Sequence, residues 1–95
     1  MSTKDVYIAK IKLQLDELND SMNQLEAKTN EAKVEAREKY KQEMANLRHQ
    51  SALAVAKLEE VRSTTEDKWE SLVTEMEKVR DAFKHSFSYF RSQVK

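Results

Sequence analysis

Apolar residues along the first two thirds of the chain recur every three or four positions. Ile8, Ile11, Leu15, Leu18, Met22 and Leu25 form an a/d heptad series. The stripe continues through Thr29, Ala32 and Ala36, takes two further steps of four through Tyr40 and Met44, and resumes at Leu47, Ser51, Ala54, Leu58 and Val61. Three-four spacing sustained without a breaker predicts a helix with a packed seam. The extra four-residue steps are stutters, which unwind a supercoil locally, so a long regular zipper is not the expectation. The flanking Lys12, Gln14, Asn19 and Ser21 spell no charge-pairing code for a partner.

The middle of this seam is small: Thr29, Ala32, Ala36, Ser51 and Ala54. Either these are low-burial positions in a helix held by its ends, or they let another helix approach closely and antiparallel. A second seam follows in Trp69, Leu72, Met76, Val79, Phe83, Phe87, Phe90 and Val94, which holds the only Trp and all three Phe.

Between the two seams lies Arg62-Ser63-Thr64-Thr65-Glu66-Asp67. Three consecutive hydroxyl residues have poor helix propensity. Ser63 with Glu66 fits a capping box, and Thr64 or Thr65 also suits an N-cap. Charge agrees with a helix starting here. Residues 63–77 carry a net −4 and residues 78–95 a net +4, which offsets the dipole of one helix over about 66–94. The expected fold is all-α: a long helix over 4–62, a hinge at 63–65 and a shorter amphipathic helix over 66–94, in one domain spanning 1–95. An uninterrupted helix is one alternative. A second break near Thr29-Asn30, giving a compact three-helix fold, is the other.

At about 1.5 Å per residue these helices measure roughly 90 and 43 Å. Half of the longer one would then lack an intrachain partner, and the row from Ile8 to Leu25 would face water. Self-association follows as an expectation, as a dimer forming a four-helix bundle over part of its length. Its seam would comprise Ile8, Ile11, Leu15, Leu18, Met22, Leu25, Leu47, Leu58 and Val61 on the long helix. Trp69, Leu72, Met76, Val79, Phe83, Phe87 and Phe90 would supply the rest.

Composition narrows the chemistry. The 95 residues include no Gly, Pro or Cys, and 17 basic residues balance 17 acidic ones. Phosphate-binding loops and nucleophile elbows need Gly, and a multi-stranded β-fold needs turn formers. Disulfide scaffolds, thiol nucleophiles and Cys-based zinc sites are excluded with Cys. Zero net charge gives no pull toward nucleic acid, and no nucleic-acid partner is expected. The opening Met1-Ser2-Thr3-Lys4-Asp5 has no apolar core of a signal peptide, so the cytoplasm is the expected location.

Candidate catalytic and metal groups are sparse. His49 and His85 lie on separate helical segments, and His85 with Asp81 reads as a surface pair. The carboxylates Glu31, Glu35, Glu38, Glu59, Glu60, Glu75 and Glu77 include no Glu-x-x-His, the pattern of carboxylate-bridged bundles. Ser86, Ser88 and Ser92 have no Gly-built oxyanion loop beside them. No enzyme, catalytic residue, metal or cofactor is expected.

The segment from Val79 to Lys95 supports a rival reading. Phe83, Phe87 and Phe90 share a face bordered by Lys84, Arg91 and Lys95, and aromatic anchors with flanking bases suit an anionic lipid surface. The alternative is an aromatic core contact with a basic helix end.

Ser2-Thr3-Lys4-Asp5-x-Tyr7, Gln14-Leu15-Asp16-Glu17, Leu25-Glu26-Ala27-Lys28, Lys57-Leu58-Glu59-Glu60 and Asp67-x-Trp69-Glu70 stand along nearly the whole chain. In these the sequence resembles a group of small bacterial coiled-coil proteins of the cytosol with apolipoprotein-like amphipathic helices. Members often carry a Gly just before Asp-x-Trp, where this chain has Thr65-Glu66. The resemblance implies a helical oligomer that meets another helical protein or lipid, and brings no catalytic residues.

Overall fold

In the computed structural model, which describes residues 3–94, the seams turn toward one another within a single chain. Three helices follow in order: α1, Thr3–Asn30; α2, Val34–Ser63; and α3, Glu66–Gln93. They run up, down and up. Lys4 Nζ donates to Thr64 O at 2.9 Å, which sets the start of α1 beside the end of α2. The Tyr40 ring lies edge-on to Phe90 at 5.7 Å, which sets the start of α2 beside the end of α3. The Tyr7 and Trp69 rings meet at 5.5 Å, so α1 and α3 run parallel. The bundle measures 51 × 20 × 17 Å.

The helix expected over 4–62 is therefore two helices, and the three-helix alternative is the one realised. Residues 31–33 break it, although Glu, Ala and Lys are strong helix formers. Burial supplies the reason. Folding α1 back along α2 covers Ile8, Ile11, Leu15, Met22 and Leu25, each at most 8% exposed. Each fully buried aliphatic side chain contributes roughly 1.5–3 kcal/mol, well above the helix propensity lost in a three-residue turn. The row expected to face water is dry inside one chain, so a lone chain does not need a partner to cover it.

The small middle of the seam is partly enclosed. Thr29, Ser51 and Ala54 are buried, and Ala32 and Ala36 are half-buried. Ser51 Oγ hydrogen-bonds Asn19 Oδ1 at 2.7 Å between helices, and Thr29 Oγ1 donates to Glu26 O at 2.7 Å. Met44, Leu47, Leu58 and Val61 of α2 join Met76, Phe83, Phe87 and Phe90 of α3 in the same core. Tyr7, Leu18, Tyr40, Trp69, Leu72, Val79 and Val94 pack on its margin.

The expected hinge at 63–65 is present, but not its capping box. Ser63 ends α2 and donates its Oγ back to Glu59 O at 2.9 Å. Thr65 occupies the N-cap of α3 with no side-chain cap bond.

Phe83→Ala is expected to cost about 3–5 kcal/mol, since it empties a fully enclosed aromatic site. Tyr89→Ala, at an exposed position, is expected to stay within about 0.5 kcal/mol. Urea unfolding of both variants checks the contrast.

Candidate functional site

Along one side of α3, Glu66, Glu70, Val73, Glu77, Arg80, Lys84, Ser88 and Arg91 recur at steps of three and four. On a helix this spacing puts them on one face. The first half of that face is acidic and the second half basic. Glu66, Glu70, Glu77, Lys84 and Arg91 are all exposed.

The basic half borders a groove of about 540 Å³ between α1 and α3. Lys10, Gln14 and Leu18 stand on the α1 side, with Arg80, Lys84, Phe87 and Arg91 on the α3 side. Arg80 is anchored. One guanidinium nitrogen donates to Gln14 Oε1 at 3.1 Å, and another pairs with Asp81 at 3.1 Å. Arg91 stacks over the Phe87 ring at 5.5 Å, so its charge sits above an aromatic floor.

At the acidic end of the face, Tyr7 turns its hydroxyl inward. The oxygen is buried and has no hydrogen-bond partner in the structure. Burial holds the phenol above its ordinary value near 10, the nearby Glu77 and then Asp81 add to the rise, and Arg80 opposes it.

The structure separates the predicted site residues into two groups. All sixteen proposed seam residues line or border the interior of one chain. Phe83, Phe87 and Phe90, expected as lipid anchors, are 0, 4 and 3% exposed and belong to the core, so they offer no surface to a lipid in this bundle. Lys84 and Arg91 remain at the surface, and Lys95 lies outside the described residues. His49 and His85 are exposed on different helices, and Asp81 pairs with Arg80. Among the described residues, no three His, Cys, Asp or Glu side chains gather to hold a metal ion.

Several of the carboxylates tie helices together or brace one turn. Glu75 reaches Lys57 across the α2–α3 interface at 3.3 Å, and Glu60 holds the same ammonium at 3.3 Å. The hydrogen bond to Glu60 is the main influence raising Lys57 above an ordinary lysine; partial burial opposes it and Glu75 adds to it. Glu26 pairs with Arg48 between α1 and α2.

The charged face went unread in the sequence, although its signal was there. Dipole compensation accounts for the −4 and +4 blocks along the axis, and the three-four spacing from Glu66 to Arg91 puts charge of both blocks on one side. No family model, curated protein or solved structure matches the chain. Among the described residues, no helix is long and apolar enough to cross a membrane.

Tyr7→Phe removes an unsatisfied buried hydroxyl, so the variant is expected to be at least as stable as the parent at pH 7. A group whose folded value is raised keeps its proton in the bundle after the unfolded chain has lost it. Parent stability therefore falls as pH rises past about 10, and this part of the fall is absent in Tyr7→Phe. Urea midpoints between about pH 8 and 11 check both statements.

Proposed function

We propose that the protein is a non-enzymatic helical interaction module that pairs with a second copy of itself through the charged face of α3. The order of charge on that face carries the reading. Two copies laid antiparallel bring Glu66 of each opposite Arg91 of the other, and Glu77 opposite Arg80. Laid parallel, they set like charge against like, so the pattern favours one orientation. The resulting contact is isologous and closes as a dimer. Val73, half-buried on the same face, adds apolar area near its centre. Exposed ion pairs contribute about 0–1 kcal/mol each, so this association is weak and salt-sensitive.

Sedimentation equilibrium tests it. A dimer is expected at low ionic strength, with affinity falling about tenfold or more on raising salt from about 0.05 to 0.5 M. Lys84→Glu with Arg91→Glu removes the dimer, and adding Glu66→Lys with Glu70→Lys restores it. A chain that stays monomeric at low salt and millimolar concentration sinks the proposal.

The stacking of Arg91 on Phe87 beside Lys84 favours a second reading, peripheral attachment of this basic end to anionic lipid. Co-sedimentation with phosphatidylserine vesicles is expected to weaken in the Lys84→Glu, Arg91→Glu variant. Equal binding by both chains ends this reading.

A further inference from the structure

The turn between α1 and α2 is made of residues that suit a helix. Glu31, Ala32 and Lys33 are strong helix formers, and Lys33 stands at the N-cap of α2 with no side-chain cap bond. No described residue has a positive φ. The turn is closed by backbone bonds from Glu31 N–H to Lys28 O at 3.2 Å and from Ala32 N–H to Thr29 O at 3.1 Å. One exposed side chain helps: Arg37 Nε donates to Ala32 O at 2.8 Å.

The two seams flanking this turn are in register. Ile8, Ile11, Leu15, Met22 and Leu25 each lie 36 residues before Met44, Leu47, Ser51, Leu58 and Val61, and all ten are buried. Thirty-six residues are about ten helical turns. Were residues 31–33 helical, both seams would lie in line on one face of a single helix roughly 90 Å long.

The contacts of α1 along α2 and the residue after it have a matching symmetry. Lys4–Thr64, Asn19–Ser51 and Glu26–Arg48 are centred on positions 34, 35 and 37. Two straightened helices running antiparallel about that point keep all three pairs, now between chains. The half-buried Ala32 and Ala36 sit where the helices cross and permit close approach.

We infer that two copies exchange α1: the turn at 31–33 becomes helical, and α1 of each chain packs on α2 and α3 of the other. The buried contacts are those of the single bundle, so straightening alters only the turn, and protein concentration sets the balance. The α2–α3 connection takes no part. Thr64 and Thr65 are extended, poor helix formers, and Lys4 holds Thr64 O. The exchange uses the buried seams rather than the charged face, and stands independently of the pairing proposed above.

The chain lacks cysteine, so one engineered pair reports on it. Asn19→Cys with Ser51→Cys joins residues whose side chains now touch. Oxidation is expected to give an intrachain crosslink in the single bundle and a covalent dimer in the exchanged form. The dimer share rises with the concentration at which the chain is refolded and persists at high salt. Val34→Pro discriminates further. Val34 is 70% exposed and first in α2, and Lys33 before it has φ −61° and ψ 150°, a backbone that proline accepts. Proline there keeps the single bundle and forbids a continuous helix. The covalent dimer is expected to fall at least about tenfold in this background. Sedimentation of the cysteine-free chain at high salt, with and without Val34→Pro, gives the same comparison free of the engineered thiols. Only intrachain crosslinks at every concentration, or a high-salt dimer that survives Val34→Pro, overturns the exchange.

Discussion

Everything in this bundle depends on one narrow stripe of α2. Met44, Leu47, Ser51, Ala54, Leu58 and Val61 have to pack against α1 and α3 at once. A stripe of large residues would hold its neighbours too far apart to seal a core. Ser51 and Ala54 keep the centre thin, and the volume is made up by α3, whose Met76 and Phe83 are fully enclosed. Large against small is how adjacent layers reach interior density. The three helices therefore play unequal parts: α1 brings aliphatics, α2 a close-fitting surface and α3 the aromatic bulk.

This division explains where charge can sit. With the apolar side of each helix committed inward, the remaining sides hold most of the charged residues, and across the whole chain 17 basic residues balance 17 acidic ones. Most single ion pairs of this kind add little stability. Arrangement matters more than number. On α3 the acidic and basic residues separate along the axis while keeping to one side. That order offsets the helix dipole and also makes the face complementary to its own reverse.

The sequence discloses a great deal of the interior. All the large apolar residues of the two predicted seams lie in or beside the core, because three-four spacing reflects the geometry of a helix and is indifferent to which helix covers it; Ala32 instead falls in the turn between α1 and α2. That indifference is also why spacing alone does not say what covers a seam. The row from Ile8 to Leu25 looks the same whether its cover comes from another chain or from α2 folded back. The choice rests on residues 31–33, where local propensity favours helix and long-range burial, with the Arg37–Ala32 hydrogen bond, favours a turn. Thr64-Thr65 was legible because local preference and tertiary packing agree there. Phe83, Phe87 and Phe90 were ambiguous for the same reason as the first row: periodicity locates an apolar face without saying what covers it.

The two turns thus differ in kind. At Thr64-Thr65 the backbone is extended, local preference runs the same way, and Lys4 holds Thr64 O. At Glu31–Lys33 local and global preferences conflict, a mark of a position with more than one accessible arrangement. The conflict is tolerated because the seams on either side are spaced by a whole number of turns. A spacing of half a turn would leave the straight helix with its two seams on opposite faces, and the bent form would have no rival. The missing glycine or proline at this turn, together with the 36-residue register, keeps both the bent and the straight chain compatible with the same buried side chains.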